Sequence, residues 1–444
     1  MKYLRSILYL LLMINAEGIF AQTHSLSLQE AITLGLKNRN DLKSHEYDVL
    51  ISENQLNASR KEWIPDLAGS ADARYNARLS QTVVPAGMIG NTEPMKVSLE
   101  SKTNSVYALN LSQPLYSPSI MNDIRIAKNN VALQKERRNI SENEIRLAIT
   151  ESYLNVLLKD VQYKLTRENE RRYYEYMQMA EGKYKLGAMI ENDYLKARLD
   201  YQNAVASSKT REKDYDLAFN ELKYQMNVPG SETLVIRDSI QSVFIASPLS
   251  QDGIDGENRP EIKQLKLLRE NASLQIRKAR QNALPSIALY ASYGHQFQYK
   301  NFDYSNRDWW TPYSYAGLKV SIPLTFNLKN SSTISEHQLR SVQAGFDLEQ
   351  GLSDVRFEIN QALARITTSS YNLEKSRANY ELSKTIFVSN QKQFKLGMFQ
   401  YAQILESERT IATAEENYIQ SIYDALMARY YWMKATGTFP AVNE

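Results

Sequence analysis

Two stretches of this chain carry the same succession of marks, which confines the fold to two copies of one supersecondary unit. At a shift of 220 residues Trp63-Ile64-Pro65-Asp66-Leu67 falls on Ala283-Leu284-Pro285-Ser286-Ile287, and Asp41-Leu42-Lys43 on Glu261-Ile262-Lys263. At 209 Leu111-Ser112-Gln113-Pro114-Leu115 meets Val320-Ser321-Ile322-Pro323-Leu324, and at 210 Tyr184-Lys185-Leu186-Gly187 meets Phe394-Lys395-Leu396-Gly397. One such pair arises easily by chance; four in the same order do not.

Each copy reads helix, strand, loop, strand, long helix, break, helix. Just after Pro65, Leu67, Gly69, Ala71, Ala73, Tyr75, Ala77 and Leu79 alternate with Ala68, Ser70, Asp72, Arg74, Asn76, Arg78 and Ser80, the period of two of a strand with unlike faces. Strands are expected at about 67–80, 103–115, 286–299 and 313–322. Long helices are expected over 119–186 and 331–396, and shorter ones over 190–227 and 399–435. Ile359, Ile366, Leu373, Tyr380, Phe387 and Phe394 recur every seven residues, a coiled-coil period, on a helix of roughly 100 Å.

A strand of about ten residues with one apolar and one polar face suits a wall between lipid and water. In lipid every backbone group must pair, so such strands close into a barrel. Four strands are too few, since a barrel takes at least about eight, so copies pool: two chains supply eight, three supply twelve. The alternative is a non-channel coiled-coil scaffold of the cell envelope, which accounts for the heptads but not for the strands. Pro65, Pro114, Pro285 and Pro323 mark the strand–helix junctions.

The start of the chain fits an export signal over residues 1–21: Lys2 and Arg5, an apolar run from Ile7 to Ile14, and Ala21 before Gln22. There are no cysteines, which excludes disulfides, thiol nucleophiles and cysteine zinc sites. A net charge of +3 with interspersed signs leaves no footprint for nucleic acid. His24, His45, His295 and His337 lack metal-ligand spacing, and no nucleotide or nucleophile motif stands out, so neither enzyme chemistry nor a cofactor is expected.

As an ordered, duplicated set, these residues resemble the TolC family of outer-membrane efflux proteins. Pro114-Leu115 and Pro323-Leu324 before the long helices carry the resemblance, with the two aromatic-x-Leu-Gly breaks. Asn192-Asp193-Tyr194-Leu195 and Ala402-Gln403-Ile404-Leu405-Glu406 follow those breaks. The resemblance covers the mature chain. It implies an α plus transmembrane-β fold: a homotrimeric 12-stranded barrel, four strands per protomer, continued by a long antiparallel helical tunnel. It further implies an exit duct for efflux or type I secretion, set in outer-membrane lipid with its helices in the periplasm. Its partners would be a periplasmic adaptor and an inner-membrane transporter of RND or ABC type. On this basis the chain divides into a first repeat (22–230), an insert (231–256) similar to the family's mid-helix belt, and a second repeat (257–444).

The same resemblance places Leu186, Gly187, Ala188, Leu396, Gly397 and Met398 at the periplasmic tip, offered to the adaptor. Asp193 and Glu406 become candidates for an acidic selectivity ring, with ordinary solvated charges as the alternative. Gln403 stands where the family commonly has an acid, and Phe399 where a basic latch residue can occur. Tyr184 and Phe394 are candidates for a gate latch, or else coiled-coil knobs. In the barrel Arg74, Arg78, Asn110 and Lys319 are expected to face the lumen, and Tyr107, Trp309, Trp310 and Tyr313 to form an outer aromatic girdle, with a loop aromatic as the alternative for any one of them.

Overall fold

The computed structural model describes residues 24–90, 92–98, 100–246, 256–396 and 398–439. The expected signal segment, the second part of the insert and Gly397 lie outside them. The chain divides into two compact units. One takes the residues up to Glu46, Glu136–Lys263 and those from Gln350; the other takes Tyr47–Lys135 and Gln264–Glu349.

The second unit carries the sheet. Strands β2 (Asp66–Tyr75), β5 (Thr103–Tyr116), β7 (Ser286–Tyr299) and β8 (Trp310–Ser321) lie antiparallel in the order β2-β5-β7-β8. β5 and β7, one from each repeat, pair at the centre. A small hairpin, β3 (Thr82–Val84) with β4 (Met95–Val97), occupies the connection from β2 to β5. Register fixes the faces. Ala68, Asn110, Ser292 and Tyr315 stand in one row across the sheet, and Gly69, Leu109, Tyr293 and Ser314 in the next. Because side chains alternate, Ser70, Asp72, Arg74, Asn110, Ser292 and Lys319 share one face. Leu67, Leu109, Leu111, Leu289, Leu318 and Val320 share the other. Leu67 is 66% exposed and Leu318 65%, so this chain alone leaves the apolar face bare.

The helices of this unit are most of α2 (Asn40–Lys61), most of α6 (Pro260–Gln281) and the first parts of α3 (Pro118–Lys185) and α7 (Phe326–Lys395). Leu56 packs on Ala127 and Val131, Lys278 pairs with Asp123 at 2.5 Å, and Asn271 Nδ2 donates to Asn130 Oδ1 at 2.8 Å.

The first unit is helical. β1 (His24–Leu26) leads into α1 (Leu28–Asn38); the rest of α3 is followed by α4 (Glu191–Gln225), β6 (Leu234–Ile236) and α5 (Ile240–Ala246). The rest of α7 and α8 (Tyr401–Thr436) complete it. β1 and β6 pair in parallel, so the strand of the insert is laid on the first described residues, while the short helix α5 packs on α8. Leu26, Ile149, Tyr153, Leu222, Ile240 and Leu426 lie in one core. Tyr153 donates its buried hydroxyl to Asp238 Oδ2 at 2.9 Å, and Leu28 N–H donates to the same oxygen at 2.9 Å. Burial, with the Asp238 carboxylate beside it, drives the Tyr153 pKa well up, so the phenol stays a donor. Every heptad position of α7 from Ile359 to Phe394 is buried or half-buried, as a knob seam requires.

Two expectations are corrected here. β2 ends at Tyr75 rather than near residue 80, because the chain bends at Ala77 and Arg78. Arg78 thus lies beyond the alternating faces, whereas Arg74, Asn110 and Lys319 share the polar one. Tyr313 is not with the aromatic girdle. It pairs with Gly294 while Trp310 pairs with Phe297, an odd separation that puts Tyr313 on the polar face. Trp310 does lie beside Tyr107, 5.1 Å between centroids, and Trp309 stacks on Tyr299 at 4.7 Å.

Candidate functional site: the helix breaks and the sheet face

α3 ends in a Schellman cap. Gly187 takes a left-handed φ of 71°, its N–H donating to the Tyr184 carbonyl at 2.9 Å, and Ala188 N–H reaches back to Lys183 O at 2.8 Å. Only glycine enters that conformation without a steric cost, and the two bonds satisfy carbonyls that the helix end leaves open. The break after α7 repeats the longer of them, Met398 N–H to Gln393 O at 3.0 Å. Leu186, Leu396 and Met398 stand out from these turns, each more than 70% exposed, and Ala188 is exposed beside them.

The structure brings both candidate acids to one place. Asp193 and Glu406 line the same cleft of about 860 Å³ with Gly187, Ala188, Phe394 and Phe399. Asp193 Oδ1 lies 3.9 Å from Lys196 Nζ, and Lys183 and Arg409 also border the cleft. Gln403 caps its own helix instead, accepting from the Gln400 N–H at 3.0 Å. Of the two candidate latch residues, Phe394 is buried against Tyr176, 5.7 Å between centroids and edge to face. Tyr184 stacks on Tyr194 at 5.5 Å. Phe399 joins the same apolar cluster half-buried.

A second arrangement had no local signal in the sequence. Glu408 of α8, only 2% exposed, receives Arg172 Nε at 3.1 Å on Oε1 and 3.0 Å on Oε2. Tyr176 Oη donates to Oε1 at 2.7 Å, and the Arg172 guanidinium sits over the Phe387 ring at 5.6 Å. Burial and the Glu408 charge drive the Tyr176 pKa up, so this phenol also remains a donor. One buried ion pair thus ties α3 to α8, with α7 packed on the arginine. Nearby, Tyr401 Oη donates to Asp200 Oδ2 at 3.1 Å.

In the sheet, Asn110 Nδ2 donates to Ser70 Oγ at 3.0 Å, and Ser292 Oγ donates to Asn110 Oδ1 at 2.9 Å. Three strands are thereby stitched together along the polar face. An apolar face opposite it, and edge strands β2 and β8 each paired on one side, cannot be left in either water or lipid as they stand.

A sheet of this kind, on one chain with two heptad hairpins, defines a protomer of an outer-membrane channel. Comparison with known proteins agrees. Residues 31–227 and 256–438 match the family model described as outer membrane efflux protein, once per repeat. This chain belongs to the outer membrane efflux protein family, and its place is the outer membrane. It is 25% identical over 336 residues to the alkaline protease secretion protein AprF of Pseudomonas aeruginosa, covering 73% of this chain and 67% of that one. With outer membrane protein TolC of Escherichia coli it is 18% identical over 447 residues, covering 98% and 87%. Among solved structures, a CusC chain superposes with a TM-score of 0.76 at 17% identity, covering 92% of this chain and 91% of that one.

Proposed function

We propose that three copies of this chain form the exit duct of a tripartite efflux pump or type I secretion system. The carrying observation is the sheet itself: four strands, one apolar face and two open edges. Three such sheets joined edge to edge make twelve strands, a barrel with the apolar faces toward lipid and the row of Ser70, Asn110 and Ser292 toward water. The hairpin turns at Gly187 and Met398 form the periplasmic tip, where Leu186, Ala188, Leu396 and Met398 offer apolar contacts to an adaptor. An inner-membrane transporter of RND or ABC type supplies the energy, and the duct conducts passively. AprF's name favours placing protein secretion beside efflux among its duties.

Asp193 and Glu406 form the acidic ring of that tip, where threefold symmetry triples each charge at a narrow opening. The test is planar-bilayer conductance of the detergent-extracted protein, as wild type and as the Asp193→Ala/Glu406→Ala double variant. Cation-selective steps that lose selectivity in the variant support duct and ring together. Steps indifferent to the variant keep the duct and remove the ring, and a soluble monomer without conductance sinks both.

A further inference from the structure

The two open edges of the sheet are unequal in length: β2 has 10 residues, Asp66–Tyr75, and β8 has 12, Trp310–Ser321. Inside one chain the rows across the strands run straight, with Ala68 facing Asn110, Asn110 facing Ser292 and Ser292 facing Tyr315. A closed barrel needs its strands tilted, and so needs the rows to return displaced along the strand. That displacement can enter only at the joint, where β8 of one copy meets β2 of the next.

Parity, tilt and overlap together select the register of that joint. The polar face holds odd positions on β8 (Tyr313, Tyr315, Gly317, Lys319) and even ones on β2 (Asp66, Ala68, Ser70, Asp72, Arg74). Keeping both faces on one side of the wall allows only an even shift, since an odd one would turn polar side chains into lipid. A shift of four residues is about 14 Å along the strands, gained over four strand spacings of about 19 Å, an inclination of roughly 35°. Shifts of zero and two give roughly 0° and 20°, short of the 35–45° that such barrels take. With the shift of four, Tyr315 faces Asp72 of the neighbouring copy, and all of Asp66–Tyr75 finds a partner between Ser321 and Pro312. A shift of six leaves Asp66 and Leu67 without a partner in β8, and a shift of four in the other sense leaves only Asp66, Leu67, Ala68 and Gly69 paired.

The side chains suit this register. Leu318, 65% exposed in the single chain, falls opposite Gly69, and Val320 opposite Leu67. Pro312, which has no N–H to give a ladder, comes at the last rung, opposite Tyr75. On the polar face Lys319 stands opposite Ala68 and diagonal to Asp66, so opposite charges meet across the joint.

We propose that a second copy of this chain docks its β2 on β8 in this one register, Tyr315 opposite Asp72 and Lys319 opposite Ala68. Three such joints stagger the barrel by twelve residues in all. The register rests on the duct reading, which supplies the three copies.

The chain has no cysteine, so disulfide trapping tests the register directly. Lys319→Cys is combined in turn with Asp66→Cys, Ala68→Cys, Ser70→Cys and Asp72→Cys, and oxidised with copper phenanthroline in isolated outer membranes. Within one chain β2 and β8 lie three strand spacings apart, roughly 14 Å, whereas a disulfide needs Cβ atoms about 3.5–4.5 Å apart, so every bond joins two copies. Because close and wide rungs alternate, Leu67→Cys/Val320→Cys tests the next rung, with Gly69→Cys/Val320→Cys as its shifted control. Covalent dimers and trimers on a non-reducing gel should be strongest for Ala68→Cys/Lys319→Cys within its set, or for Leu67→Cys/Val320→Cys over its control. A maximum at Asp66, Ser70 or Asp72, or the control outdoing its partner, overturns the register and leaves the duct. So does silence from every pair while an amine cross-linker shows the wild type to be a trimer. A wild type that the same cross-linker leaves monomeric refutes the duct reading and the register with it.

Discussion

Glu408→Ala is the most informative single change in the helical unit. The carboxylate is 2% exposed and accepts two contacts from Arg172 and one from Tyr176. Removing it leaves a guanidinium that is itself only 20% exposed with its main counter-charge gone, and a buried phenol without its acceptor. Breaking a buried pair from one side costs about 3–5 kcal/mol. Unfolding entropy is about 2.1 cal/mol/K per residue, so over roughly 250 residues of helical unit the loss lowers the melting temperature by about 6–10 °C. The assay is the far-UV circular dichroism melt of the detergent-solubilised protein, with Arg172→Met/Glu408→Met as companion. If the stranded charge is the cause, the apolar double variant should recover most of the loss, because well-packed apolar side chains replace such pairs at little cost. A single variant within about 1 °C of wild type, or a double variant as damaged as the single one, would refute the reasoning.

Gly294→Val should impair the sheet. Its Cβ would lie 2.5 Å from the Tyr107 carbonyl oxygen and 2.8 Å from Ala108 Cβ, contacts that backbone cannot relieve. A loss of about 1–3 kcal/mol is expected, read as a reduced yield of assembled, membrane-inserted protein while the helical signal persists. Glu261→Gln tests a pH dependence. Burial pushes the Glu261 pKa up, but hydrogen bonds from Arg259 and its own backbone N–H, with the Arg259 charge, outweigh it and leave it below the usual carboxylate value. A lowered folded pKa means stability that is present above the unfolded value and lost as pH falls through the folded one. The melting difference between wild type and Glu261→Gln should therefore be full at pH 7 and vanish in strong acid; a difference that grows toward acid contradicts the assignment.

What could be read from the sequence followed physical periods. Alternation of two marked all four long strands, because a wall between lipid and water sorts side chains residue by residue. The sevenfold recurrence from Ile359 to Phe394 marked the buried seam of α7 for the same kind of reason. Strand ends were less legible: Ala77 and Leu79 continue the pattern after Tyr75, yet the backbone bends there. Tyr313 was misplaced because grouping it with Trp310 by chemistry ignored parity along the strand. The Arg172–Glu408 pair, with partners 236 residues apart, lies beyond any local pattern. Asp193 and Glu406 were candidates through the family resemblance alone, and their meeting in one cleft needed the packing of two hairpins.

The position of α8 in the chain has a kinetic consequence. Seventeen of its 36 residues are buried, and Ile419, Ile422 and Leu426 complete the core that Leu26, Ile149 and Leu222 begin. The earlier helices are made long before this lid exists, because the second pair of strands and α7 intervene. At roughly 5–20 residues per second, the roughly 175 residues from Gln225 to Tyr401 take about 10–35 s to synthesise. During that interval the apolar stripes of α1, α3 and α4 are uncovered, and the contacts that finally cover them span most of the chain. High contact order of this kind slows folding and exposes the growing chain to aggregation. Covering of those stripes thus waits on the last helix, an order imposed by the arrangement of its own segments.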